Sequence, residues 1–158
     1  SGLGSFEFDG NNIIETPYNQ DFNLSDQNFT MEGWIYPNDI TGYSVIYAHG
    51  YDDVSKRSFV FYTNNNKIRF AYNTSADGTG NVDNTDFTAN LKAKTWAHIA
   101  LVRNSGTISL YVNGVKVPET INIGTSSIYT VTDHNINIGA DSINKPNIFS
   151  GNIADVHI

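Results

Sequence analysis

Apolar residues fall at alternate positions along most of this chain, in short runs separated by clusters of Asn, Gly, Asp and Ser. That period-two pattern marks a strand with one face covered and one face wet, and the intervening clusters are turn chemistry. No window of helical length carries an apolar stripe at 3.6-residue spacing, so the chain reads as all-β. With 21 Asn among 158 residues and only 16% charged residues, its solvated surface is built largely of neutral polar groups, a poor composition for a helical bundle. About a dozen short strands in one chain imply a two-sheet antiparallel β-sandwich, because a single open sheet of that size would curl or split.

The individual runs place the strands. After a first strand over 5–9 and a short one over 13–15, a central strand is expected over 29–36, where Phe29, Met31 and Ile35 alternate with Thr30, Glu32, Trp34 and Tyr36. Strands over 44–49, 58–63 and 67–72 follow, and the polar connection from 73 to 93 is long enough to be expected functional or mobile. Residues 96–102 read as a strand buried on both faces, which makes Trp96 and His98 a packed, hydrogen-bonded structural pair. Asn113-Gly114 is a hairpin signal, supported by Tyr111, between strands over 108–112 and 115–117. Two similar strands are expected at Ile121-Asn122-Ile123-Gly124 and Ile136-Asn137-Ile138-Gly139, and a last one over 152–158.

Several function classes drop out. A net charge of -7 repels nucleic acid and anionic membrane surfaces. The absence of cysteine excludes disulfide scaffolds, Cys-ligated zinc and thiol catalysis. No apolar run approaches the ~20 residues that a membrane-spanning helix needs. Residues 1–158 are expected to form a single domain excised from a longer protein, because the chain stops inside an apolar alternation at Val156-His157-Ile158.

Taken in order, Phe8-Asp9-Gly10, Phe29-Thr30-Met31-Glu32-Gly33-Trp34-Ile35, Trp96-Ala97-His98-Ile99-Ala100-Leu101-Val102, Leu110-Tyr111-Val112-Asn113-Gly114, Ile138-Gly139 and Phe149-Ser150-Gly151-Asn152-Ile153-Ala154-Asp155-Val156 resemble the laminin-G-like, concanavalin A-like jelly-roll domains. The resemblance implies a jelly-roll sandwich. The same fold serves laminarinase-type glycoside hydrolases, whose retaining mechanism needs two carboxylates ~5 Å apart, supplied there by a Glu-x-Asp-x-x-Glu strand. That spacing is missing: none of the four Glu, at positions 7, 15, 32 and 119, opens a Glu-x-Asp-x-x-Glu run. Glu32, between aromatics, suits a polar contact to a ligand better than an acid–base role. The four histidines show no metal spacing, and Gly-x-Ser-x-Gly is absent, so no catalytic residue is assigned.

Binding is the class that remains. The resemblance implies a structural calcium where the first and last strands pair, with Asp9 and Asp155 as ligands, and a second calcium at one rim of the sandwich from Asp52, Asp53 and Asp141. A sugar site needs an aromatic platform beside amide or carboxylate groups. The turn residues Tyr43 and Tyr51 supply such platforms, with Asp52, Asp53, Asp141 and Asn144 as polar partners; Trp34, Tyr36 and the sheet face that bears them are the next place to look. The expected function is a non-catalytic, calcium-assisted carbohydrate-recognition module of a secreted, cell-surface or virion protein, with a glycan or glycoprotein as partner. The alternative is a structural or protein–protein spacer domain that contacts other subunits of a larger surface or fibre assembly.

Overall fold

Twelve strands make two six-stranded sheets in the computed structural model, which describes residues 4–50, 56–83, 85–141 and 147–158. The first sheet runs β1 (Phe6–Asp9), β12 (Ser150–His157), β3 (Phe29–Pro37), β8 (Ala97–Asn104), β9 (Thr107–Val112) and β10 (Val115–Asn122). The second runs β2 (Ile14–Thr16), β11 (Ile136–Ile138), β4 (Ser44–Gly50), β5 (Arg57–Asn64), β6 (Lys67–Tyr72) and β7 (Asp86–Phe87). Every pairing is antiparallel. Neighbours distant in sequence, such as β12 between β1 and β3, give the crossed connections of a jelly roll.

Alternation builds the core between the sheets. From the first sheet come Phe8, Met31, Ile35, Ile99, Leu101 and Leu110; from the second come Ile46, Tyr47, Phe59, Phe61, Ile68 and Phe70, all buried. Gly33 is a close-approach position: the Tyr47 hydroxyl crosses the core to donate to the Glu32 carbonyl at 3.3 Å, and a Cβ on Gly33 would stand in its path. Gly139 combines a φ of +87° with the Phe8 ring where its own Cβ would be.

Two expectations about connections change. The 73–93 segment carries structure of its own among the described residues: Tyr72 and Val82 exchange two backbone hydrogen bonds, β7 pairs with β6, and Phe87, Ala89 and Leu91 enter the core. Its acid Asp77 is spent on its own turn, since one carboxylate oxygen accepts from the Ser75 hydroxyl and from the Thr79 amide and hydroxyl. The Ile121 strand is the end of β10, because a bulge between Lys116 and Thr120 carries Pro118 along a sheet edge where its missing N–H is tolerated.

The outer faces of the two sheets differ. On the second sheet Val45, Ala48, Val60, Tyr62 and Ala71 form a small buried cluster of their own. The 73–83 connection folds toward it: Arg57 Nη2 donates to Asn81, and the Tyr62 hydroxyl donates to Asp83 at 2.6 Å. On the first sheet, outward residues of β3 and β8 remain open to solvent.

Candidate functional site

On β3, Thr30, Glu32, Trp34 and Tyr36 point out, as the alternation requires. Trp34 stands across from His98 of β8, and Ile35 from Ala97, so Trp96, one residue before β8 begins, lies beside Tyr36. Trp34 is 39% exposed and Trp96 41% exposed. Trp96 is therefore not the buried structural residue expected from its strand. Its parity was right, but the face it shares with Trp34 carries nothing that covers the rings among the described residues.

Each indole is buttressed from the neighbouring strand, Trp34 by His98 at 5.3 Å and 61°, and Trp96 by Tyr36 at 5.5 Å and 51°. These contacts hold the rings while leaving one side of each free. Between them is a shallow hollow of about 370 Å³, lined by Ser5, Trp34, Trp96, Ala154 and Asp155. Ala154, across from Trp34 on β12, keeps the floor low, where a longer side chain would fill the space. Asp155 takes φ of +56° in the irregular stretch between Ala154 and His157, which turns its carboxylate to the lip of the hollow, 3.5 Å from His157 Nε2. Deeper along the same face, Glu32 Oε2 lies 3.5 Å from His98 Nε2. Two apolar platforms thus stand beside a carboxylate, a hydroxyl and an imidazole–carboxylate pair.

The residues expected at a calcium or glycan rim are distributed otherwise. Asp9 pairs with Ser150, and Asp155 lies five positions further along β12, which puts roughly 16 Å between them and prevents them from sharing an ion. The Asp9 carboxylate instead accepts the Asn11 amide at 2.8 Å and closes its own turn. Tyr43 is half-buried, packed at 4.2 Å against Tyr62. Asp141 has no exposed surface, and one of its carboxylate oxygens accepts from Asn147 Nδ2 at 3.2 Å; a ligand in solvent does not reach it. Asn147 also accepts the Val45 amide at 3.0 Å, so Tyr43 and Asp141 do share the Ser44 end of β4. Tyr51, Asp52, Asp53 and Asn144 lie outside the described residues. Among the described residues no group of three or more His, Asp or Glu side chains is arranged to hold a metal ion. Trp34 and Tyr36 were legible as an alternative face, whereas Trp96, Ala154 and Asp155 required the strand register.

A two-sheet jelly roll with a solvent-facing aromatic hollow defines a sandwich of the lectin type. The chain belongs to the concanavalin A-like lectin/glucanases superfamily, whose family model matches residues 8–158. No curated protein sequence matches the chain. Among solved structures it is similar to the CBM40 of the Ruminococcus gnavus IT-sialidase bound to α2,3-sialyllactose, at 16% identity and a TM-score of 0.74 over 98% of this chain and 91% of that one. A putative carbohydrate binding protein from Bacteroides ovatus is 20% identical with a TM-score of 0.68, over 96% of this chain and 42% of that one. Domains LG4-5 of the mouse laminin α1 chain are 12% identical with a TM-score of 0.66; this chain, 98% covered, spans 40% of that length. At these identities the likeness is one of fold.

Proposed function

We propose that this domain is a non-catalytic carbohydrate-recognition module and that its platform is the Trp34–Trp96 hollow on the outer face of the first sheet. The observation that carries the reading is the pair of indoles on adjacent strands, each held by a second aromatic and each about two-fifths exposed. Large aromatics stay in water at a cost unless a partner covers them, and the apolar face of a pyranose offers a cover that leaves its hydroxyls for Asp155, Ser5 and Glu32. Similarity to carbohydrate-binding modules supports the class of ligand. Glu32 has an imidazole as its ionic neighbour, an arrangement suited to a polar contact and unlike the paired carboxylates of glycoside hydrolysis. A surface or secreted parent protein is consistent with this role, and no helix among the described residues is long and apolar enough to cross a membrane.

The chain has only two tryptophans, and both line the hollow, so intrinsic fluorescence reports binding directly. A glycan array followed by fluorescence titration is expected to give a ligand whose affinity falls about tenfold or more (~1.4 kcal/mol) in Trp34→Ala and in Trp96→Ala. Because these rings are already partly exposed, each variant should lose only about 1–2 kcal/mol of stability and stay folded. Affinity is expected to be equal in calcium and in EDTA, since Asp155 is the only carboxylate among the lining residues. Full affinity in both folded variants would overturn the assignment.

A further inference from the structure

The outer face of the first sheet continues past the indoles to a second hollow of about 310 Å³, more enclosed than the first. It is lined by Val102, Asn104, Thr107, Ser109, Tyr111 and Lys116, from β8, β9 and β10. The register ties the two hollows together. Glu32 on β3 stands across from Ala100 on β8, Ala100 across from Tyr111 on β9, and Tyr111 across from Lys116 on β10. In this row β8 carries only an alanine, with the Glu32–His98 pair on its Trp34 side and Tyr111 on the other.

The chemistry of the two hollows differs. The first is indole and alanine with a carboxylate at its lip. The second offers the hydroxyls of Thr107, Ser109 and Tyr111, the amide of Asn104 and the ammonium of Lys116. Among the described residues no carboxylate pairs with that ammonium. A cation surrounded by neutral hydrogen-bonding groups complements a carboxylate. The chain's net charge of -7 opposes approach of an anion from afar. At physiological salt that field is screened beyond ~8 Å, so the local ammonium sets the sign of the contact once the ligand is on the sheet.

Resting on the glycan reading above, we propose that the second hollow is a subsite of the same binding face and takes the carboxylate of an acidic sugar unit, with Lys116 as its charge partner. Trp34 and Lys116 are three strands and two residues apart, roughly 16 Å from strand spacing and rise, a span that about three or four linked pyranoses cover. The ligand class is therefore a linear uronic-acid-containing oligosaccharide lying across the strands, with a neutral face on the indoles and a carboxylate over β10.

The test uses matched uronic-acid oligosaccharides of one to six sugars, from galacturonate, glucuronate and mannuronate series, each as the free acid and as the methyl ester, titrated by tryptophan fluorescence. Free acids of four or more sugars are expected to bind at least tenfold tighter than their esters. Lys116→Gln should bring that ratio to near one while leaving ester affinity unchanged, and 0.5 M NaCl should reduce it in the parent protein. Trp34→Ala should weaken acid and ester alike. A melting curve matching the parent's is the control for Lys116→Gln, because Lys116 is exposed, and a single cooperative transition lowered by no more than the loss given above is the control for Trp34→Ala. An acid-to-ester ratio near one in the parent, a ratio that survives Lys116→Gln, or no binding of any acid while array glycans bind through Trp34, each overturns the subsite and leaves the glycan platform standing. Binding indifferent to Trp34→Ala overturns the platform itself.

Discussion

Gly33 shows how a single missing side chain shapes the interior. It stands on β3 between Glu32 and Trp34, two residues that face the proposed ligand, and its own inward face is where the Tyr47 hydroxyl reaches through to the Glu32 carbonyl. Burial raises the Tyr47 pKa first and the Glu32 charge raises it further, so the phenol is neutral and its proton stays in that hydrogen bond. Gly33→Ala forces the hydroxyl aside or shifts β3, and a loss of about 2–3 kcal/mol is expected from overpacking together with the displaced hydrogen bond. Tyr47→Phe alone should cost about 1 kcal/mol, but in the Gly33→Ala background it removes the clashing atom and should restore part of the stability. Urea denaturation of the four proteins measures the coupling. Strict additivity of the two losses would mean that the alanine is accommodated by movement elsewhere.

Among the elements, β8 links the core to the loops at one end of the sandwich. Its alternation carries Ala97, Ile99, Leu101 and then Arg103 inward. Arg103, at 2% exposure, donates to the carbonyls of Ser25 at 2.7 Å, Ser126 at 2.9 Å and Gly124 at 3.3 Å, so one guanidinium ties two loops to the strand. A planar fork of donors is what three diverging carbonyls require. Arg103→Met keeps the stem but takes the guanidinium donors from the Ser126 and Gly124 carbonyls, while Ser25 keeps only the Ile128 amide, and a loss of about 2–4 kcal/mol is expected by chemical denaturation, with Arg103→Lys intermediate or no better because an ammonium cannot span both loops. A loss below ~1 kcal/mol in the methionine variant would mean that water replaces the guanidinium. The same strand marks the limit of reading by period. Alternation at Phe29, Met31 and Ile35 identified the inward face of β3, and it gave Trp96 and His98 a common face. Period two says which face a residue is on, however, and is silent about whether anything covers that face. For this reason Trp96 was expected in the core and emerged exposed on the outer face of the sheet. Asp9 and Asp155 failed for a related reason: paired strands bring residues together only in register, and the register is set by contacts far from either acid. Asp141 reads as an exposed rim acid, and no periodic signal announces its burial or its hydrogen bond from Asn147.

At the scale of the whole molecule, the response to acid distinguishes one buried imidazole from the many surface carboxylates. His49, on β4, has no exposed surface; its ring stacks on Tyr18 at 5.4 Å and meets the edge of Phe59 at 6.0 Å. Burial pushes its pKa down to about 4; the His134 backbone opposes that fall, the neighbouring charge of His134 adds to it to a smaller extent, and the Val131 backbone opposes it least. In the unfolded chain the same imidazole titrates near 6.5. The folded pKa lies below the unfolded one, so between these values the unfolded chain binds a proton that the folded chain refuses. Stability is therefore fully present above about pH 6.5 and declines as the pH falls toward 4, by roughly 3 kcal/mol over the window. The carboxylates with lowered pKa act lower on the scale: hydrogen bonds from Thr79 and Ser75 hold Asp77 at about 2, and Thr41 and Thr88 lower Asp39 and Glu119 in the same way. Those groups withdraw their support as the pH falls through their ordinary values, 3.8 for Asp39 and Asp77 and 4.5 for Glu119, which leaves the interval from about 5 to 6.5 to His49. His49→Phe keeps a flat aromatic against Tyr18 and removes the titration. Urea midpoints taken at pH 7, 5.5 and 4.5 should fall steadily in the parent protein and stay nearly level in the variant. A variant that loses stability over this interval as steeply as the parent would overturn the assignment of the acid sensitivity to His49.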